Sequence, residues 1–498
     1  MTQDVLLGNF RLKMMAASAS LVGTICVGLA YIGRGVPRYF WGDDLLLLES
    51  SRTTGGYINS FGGSLVNTGS GKWRPLFQVT AYFMTHWFEG NYLGYFAVNL
   101  MLLACIGTVA GWIMYQVSGR SLWCSLIVSF TVTLSPNFFY SRVSPFGVME
   151  LGACLLALLF VYVMVTVEYR EPIRANVLAI FTALGAGFMH ERYLILLLVG
   201  ALIALSAEGT IKQRFNGMAL WLGVLLSYFG LRSLVASTSG MFNGGGETSL
   251  LASKGFWIVP RFFNSFGFAI GGSNGTIKGF TSTDPGAAVS FSPLLILITL
   301  IVGGLITYLV GRCIYEWFVS CLSLPVQVQP KGSFGKTKKL KVLGLSALSC
   351  LVPASTVVSR IEPRWLSFSQ ILICVLFIGL LNISFQKFNQ FVGVIFLVGV
   401  LIFNIACLSN LDEYEYPMRI TNSMMDQIQL TAPANEPYTV IIVSDDEPGQ
   451  TPWRGGYGMV FNLLKHPPFQ DYAANSTYPQ VELRLRNKEW NAVLIEVG

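Results

Sequence analysis

Charge is scarce in this chain. Of its 498 residues only 12% are Asp, Glu, Lys or Arg, against 53% hydrophobic residues, and mean hydropathy is +0.56. Soluble domains carry about 25% charged residues, so the composition excludes a string of soluble domains and implies a polytopic membrane protein. Histidine is scarcer still. His86, His190 and His466 stand far apart, without the spacing of a metal-ligand set. The nine cysteines all fall in apolar runs or in connectors read as lying inside the cell, so no disulfide framework is implied. Lys and Arg outnumber Asp and Glu by 33 to 26, but they are not gathered into one face or tail, and no nucleic-acid partner is expected. A P-loop pattern, an internal repeat and a low-complexity segment are all missing from the sequence.

Long uncharged runs are abundant. The first covers 14–33, just after Arg11 and Lys13. A membrane span needs about 20 such residues, and this run exceeds the apolar core of a cleavable signal peptide. Further runs cover 93–115, 121–139, 151–167, 215–231, 286–311, 342–359, 365–385 and 391–409. Residues 175–207 read as two short spans, with His190-Glu191-Arg192 at the turn between them. The expected count is about eleven spans. The segment 76–88 after Pro75 reads as an amphipathic or interfacial helix, too short to span. Lys331, Lys336, Lys338, Lys339 and Lys341 form an acid-free basic connector, the strongest cytoplasmic signal in the chain. It agrees with Arg11 and Lys13 in placing the N-terminus inside. The segments 34–90 and 232–285 are then long outer loops, within a membrane domain of 1–409. From 410 onward charge rises and long apolar runs stop. Strands are expected at 438–443, 481–486 and 492–497 and a short helix at 459–465, giving a small C-terminal α/β outer domain, 410–498.

The stretch around which the chain is organised is Tyr39-Phe40-Trp41-Gly42-Asp43-Asp44, directly beyond the first span. Arg34 and Arg38 flank it, and Lys72-Trp73-Arg74-Pro75 closes the Gly-, Ser- and Thr-rich loop that follows. Two adjacent carboxylates here read as a solvated interfacial loop, as a general base held by its neighbour, or as a weak metal site. The glycines at 244–246 and 271–272 read as a lid or a plain linker, and Asp445-Asp446-Glu447 as a solvated loop. Arg34, Arg38, Arg74, Arg142, Arg192, Arg232, Arg360 and Arg364 all fall at expected outer ends of spans, where positive-inside selection disfavours them. Either they snorkel to headgroups or they hold an anionic ligand, which the planar guanidinium fork suits. Arg360-Ile361-Glu362-Pro363-Arg364 sets two arginines and a glutamate at one helix mouth. The triplet His190-Glu191-Arg192 is costly between two apolar runs unless it is self-paired or used.

These residues resemble the GT-C class of polytopic glycosyltransferases that use polyprenyl-phosphate sugars. The layout is most similar to the serotype-converting O-antigen glucosyltransferases of the Gtr type. The similarity rests on the aromatic–Asp43-Asp44 segment, the Trp73-Arg74-Pro75-Leu76 close of the loop, His190-Glu191 at an outer turn, Arg364 before a late span, and a C-terminal outer domain. It covers the layout of the chain with short motifs, and the C-terminal domain offers none. The resemblance implies a mainly α, GT-C-like fold in the bacterial inner membrane, with the C-terminal domain periplasmic. It implies inverting transfer of a sugar, with glucose the first expectation, from undecaprenyl-phosphate-sugar to lipid-linked O-antigen in lipopolysaccharide assembly, and so serotype conversion. Asp43 would be the base and Asp44 its orienting partner. Arg74, His190, Glu191, Arg192, Arg360 and Arg364 would bind the donor phosphate or substrate. The expected partners are the polyprenyl-phosphate-linked donor, a lipid-linked polysaccharide acceptor and membrane lipid. No cofactor is expected, and a divalent metal at Asp43 and Asp44 is not favoured. The alternatives are an O-antigen polymerase or ligase, or a non-enzymatic lipid-sugar transporter.

The charge pattern predicts a topology. A reporter active only outside the cytoplasm should be active when fused after Val497 and silent at Lys336. The reverse pattern would overturn the span count and the side on which Asp43 lies.

Overall fold

The computed structural model describes residues 3–33, 73–88, 91–119, 121–166, 172–205, 210–235, 265, 334–356, 363–384, 423, 426–428, 430–431, 439–444, 480–486 and 489–495. Most of these are helical. The helices are α1 (Gln3–Gly33), α2 (Pro75–Phe88), α3 (Tyr92–Val117), α4 (Leu122–Leu134), α5 (Phe139–Val143), α6 (Gly147–Thr166), α7 (Pro172–Met189), α8 (Ile195–Leu205), α9 (Ile211–Val235), α10 (Phe334–Thr356) and α11 (Pro363–Ser384). Short 3-10 turns, Pro136–Phe138 and Glu191–Leu194, precede α5 and α8. Among the described residues three helical stretches are long and apolar enough to cross a membrane: Tyr92–Val117, Gly147–Thr166 and Lys212–Leu234. The expected spans 286–311 and 391–409 lie outside the described residues.

Near the C-terminus β1 (Thr439–Ser444), β2 (Gln480–Arg486) and β3 (Glu489–Ile495) form a sheet in that order. β1 and β2 are parallel, β2 and β3 antiparallel. The last strand begins earlier than the apolar pattern suggests, because its ladder runs to the end of β2, with Glu489 opposite Arg486. The expected helix at 459–465 lies outside the described residues.

Local sequence explains several boundaries. Pro75 opens α2, where its missing N–H costs nothing. Asn91 and Ser121 cap α3 and α4, accepting from Leu93 N–H and Cys124 N–H. Lipid gives apolar helices no hydrophobic reason to associate, so close packing of small residues has to hold them. Gly107 and Gly111, four apart on α3, meet Ser125 and Ser129, four apart on α4. Ser129 Oγ donates to Gly107 O at 3.1 Å and Ser125 Oγ to Gly111 O at 2.8 Å. A Cβ on Gly107 would also come within 2.9 Å of Ser20 Oγ on α1.

Between α4 and α6 the chain leaves regular helix, which is tolerable at membrane depth only where protein satisfies the backbone. Arg142, fully buried, donates from Nη2 to Thr133 O and Ser135 O, each at 2.7 Å. It neither snorkels nor stands open to a ligand. Asn99 on α3 donates to Arg142 O at 3.2 Å and Ser144 O at 2.8 Å, and the Tyr92 hydroxyl donates to Val143 O. From α11, Ser367 Oγ donates to Asn137 O at 3.2 Å. Gly147 starts α6 so close to this segment that a Cβ would lie 1.9 Å from Ser141 O.

The helix ends sort into two groups. Arg74, Tyr92, Gly147, Glu150, His190 and Trp365 belong to one end of the bundle. At the other, Lys339 Nζ donates to Gln116 O at 2.8 Å, on the last turn of α3 where a cation meets the carbonyl end of the helix.

The α3–α4 contact yields a test. In Gly111→Ala the new Cβ would stand 2.2 Å from Ser129 Oγ, so thermal stability in detergent should fall by about 1–3 kcal/mol. Adding Ser129→Ala removes the first clashing atom and should recover part of the loss. Strictly additive effects would contradict this packing.

Candidate functional site

Charges that the sequence scatters over more than a hundred positions meet at one end of the bundle. Arg74 stands directly before α2, where Gln78 N–H donates to its carbonyl at 3.0 Å and so fixes its backbone to the first turn. Its guanidinium reaches the α7–α8 turn. There Nε donates to Glu191 Oε2, and Nη2 donates to Glu191 Oε1 at 2.7 Å. This is the paired, parallel geometry in which arginine binds an oxyanion best. The third nitrogen, Nη1, lies 3.0 Å from Met149 Sδ, a weak acceptor.

A second ion pair lies deeper. Arg192 Nη2 donates to Glu150 Oε1 at 2.7 Å, with side-chain exposures of 7% and 3%. For Arg74 and Glu191 the values are 14% and 25%, so the two pairs form an inner and an outer layer. Glu150 is the single acid in the first turn of α6, where a negative charge complements the helix dipole. Arg192 also lies with its guanidinium carbon 5.6 Å from the Trp365 ring centre and 6.0 Å from that of Tyr193, distances at which an aromatic face stabilises a cation.

His190 sits between the layers. It caps the 3-10 turn, its Nδ1 accepting from Arg192 N–H at 3.4 Å and from Arg192 Nε at 3.3 Å. Its Nε2 is 3.9 Å from Glu150 Oε1 and its Nδ1 3.7 Å from Glu191 Oε2. The ring thus lies within 4 Å of a carboxylate from each layer. Behind the outer pair, Trp73, Phe188 and Tyr228 from three segments pack with ring centres 5.4–5.8 Å apart, and Tyr228 OH donates to Trp73 O at 3.4 Å.

Four of the residues singled out from sequence, Arg74, His190, Glu191 and Arg192, are therefore in one cluster. The triplet is not chiefly self-paired: its two charges find their main partners on other elements. Asp43, Asp44 and Arg360 lie outside the described residues. Arg364 occupies the first turn of α11, beside Trp365 in the chain. The sequence reading missed Glu150. It began that span at 151 and so left the acid just outside it, although a lone carboxylate heading a 20-residue apolar helix is a signal in its own right. Among the described residues no group of three or more His, Cys, Asp and Glu is placed to hold a metal ion.

Chemically, the cluster offers two guanidinium groups, two carboxylates and an imidazole. Such a set can bind an oxyanion by exchange with a carboxylate, or accept hydrogen bonds from hydroxyl groups. No protein-family model matches the chain, and no curated protein matches it.

The layering predicts unequal costs. Glu150→Leu leaves the Arg192 cation buried without its partner, which costs about 3–5 kcal/mol. Glu150→Leu with Arg192→Met should recover most of that, and Glu191→Gln, in the outer pair, should cost only about 1 kcal/mol. Thermal unfolding in detergent reads all three. Glu150→Leu melting with the wild-type protein would contradict the account.

Proposed function

We propose that the chain is a membrane glycosyltransferase of the GT-C kind, moving a sugar, with glucose the first candidate, from undecaprenyl-phosphate-sugar to lipid-linked O-antigen. In this reading it crosses the bacterial inner membrane about eleven times, with the N-terminus cytoplasmic. Residues 410–498 form a small α/β domain on the periplasmic side. The reaction takes place at the outer end of the bundle and inverts the anomeric carbon.

The observation that carries the reading is the meeting of Arg74, Glu150, His190, Glu191 and Arg192 at one end of an apolar helical bundle. Ionisable groups are costly there and are retained where they serve a substrate path or a site. Arg74 closes, in sequence, the loop that begins with Asp43-Asp44, and the proposal puts the acidic pair at the same end. Asp43 takes the proton from the acceptor hydroxyl, and Asp44 orients it. The acceptor oxygen attacks the anomeric carbon from the face opposite the lipid phosphate, and the bond to the phosphate oxygen breaks. Arginines at this end, with Arg360 and Arg364 among the candidates, stabilise the departing phosphate by a preorganised field. The chemistry is supplied by side chains alone.

A transporter reading predicts polar or broken helices near mid-membrane and repeated halves. The break between α4 and α6 has its backbone groups bonded to Asn99, Tyr92, Arg142 and Ser367. That is the pattern of a structural joint, and it favours the enzyme.

The experiment is turnover of undecaprenyl-phosphate-glucose by purified protein, without a membrane gradient. Asp43→Asn should leave expression and donor binding near normal while turnover falls by about 10²- to 10⁴-fold, the range for loss of a general base. Asp44→Asn should cost less. Substantial turnover in both variants would remove this pair from the chemistry.

A further inference from the structure

Arg74 has two features that conflict for a residue meant to hold an anion. It stands in the outer, more exposed layer of the cluster, at 14% side-chain exposure against 7% for Arg192. Yet its fork is already filled, because Nε and Nη2 both bond to the two oxygens of Glu191. A guanidinium presents one such paired edge to one oxyanion at a time. A phosphate that uses this edge must therefore displace Glu191.

We infer that Glu191 is a built-in competitor at the Arg74 anion seat: the carboxylate occupies the fork when the site is empty and is exchanged for a phosphate oxygen pair when the lipid-linked ligand binds. The inference rests on the proposed use of a polyprenyl-phosphate donor. Two further observations support exchange rather than a permanent bond. Glu191 is the most exposed charged side chain of the two pairs, at 25%, so a ligand approaching from outside reaches it first. It lies on a four-residue 3-10 turn, Glu191–Leu194, where rotation of one side chain disturbs no long helix. The inner pair is unsuited to the same role. Glu150 and Arg192 are almost wholly enclosed, and Arg192 is held at once by Glu150, His190 and the faces of Trp365 and Tyr193. It anchors the turn on which Glu191 exchanges.

A competitor inside the protein lowers apparent affinity by the fraction of molecules whose seat is closed. Removing the competitor's charge should therefore tighten binding, an outcome no purely structural or catalytic role for Glu191 predicts. The measurement is equilibrium binding of undecaprenyl phosphate to the full chain in nanodiscs. Undecaprenol serves as the uncharged control, and phosphatidylglycerol and inorganic phosphate as competitors. Glu191→Gln should bind undecaprenyl phosphate tighter, on the order of fivefold. Glu191→Asp, too short to fill both positions of the fork, should shift affinity in the same direction by less, and it serves if the Gln variant does not fold. Arg74→Lys should weaken binding at least tenfold, and in Arg74→Lys with Glu191→Gln the tightening should vanish, because its object is gone. Undecaprenol affinity should be unchanged throughout.

Equal or weaker binding by both Glu191 variants overturns the exchange. If those variants still transfer sugar, the glycosyltransferase reading survives that result. Competition by phosphatidylglycerol or inorganic phosphate at matched concentration overturns the assignment to a polyprenyl phosphate. Wild-type protein that neither binds undecaprenyl phosphate nor turns over its sugar ester overturns the reading and the exchange together.

Discussion

A carboxylate enclosed in an apolar helical bundle has to be met by a cation, and the Glu150–Arg192 pair is how this bundle meets that constraint. Each charge alone would be several kcal/mol too costly to keep. Together, with the imidazole of His190 and the faces of Trp365 and Tyr193 around the guanidinium, they fix α6, the α7–α8 turn and the start of α11 against one another. Everything nearer the surface is built on that tie. The turn it holds presents Glu191, Glu191 fills the Arg74 fork, and Arg74 stands directly before α2.

The same constraint explains the joint between α4 and α6. Backbone carbonyls freed from helical bonding cannot be left to lipid. Arg142 takes two of them from below, while Asn99 and Tyr92 take others from α3. The joint has a positional consequence. It lets Gly147 press against Ser141 and start α6 with Glu150 in its first turn, at the level of His190. A continuous helix through 121–167 would place that carboxylate on a different face and height. The small-residue contacts of α3 with α4 and α1 supply the rigid wall on which this joint hangs.

What the sequence disclosed followed from contrast. His190-Glu191-Arg192 interrupts a long apolar run, and Arg74-Pro75 ends a polar loop, so both stood out. The start of α2 beside Arg74 was legible from Pro75, whose chemistry is local. Partnership was not legible. Arg74 and Glu191 are 117 positions apart and Arg192 and Glu150 are 42 apart, and no local rule joins such pairs. Arg142 shows the opposite error. An arginine at the end of an apolar run reads as facing headgroups or ligand, yet its burial is decided by two carbonyls of the preceding turn, which only the folded joint exposes. Glu150 does not stand out in the sequence, because it sits one position before the uncharged run 151–167.

The most direct measurement of the central claim is the chemical structure of the surface polysaccharide from cells with and without this gene. A transferase of the proposed kind adds one hexose, glucose in the first instance, per repeat unit, and the modification should disappear when Asp43→Asn replaces the wild-type chain. Identical repeat units in the presence and absence of the gene, with the protein present in the membrane, would contradict the account.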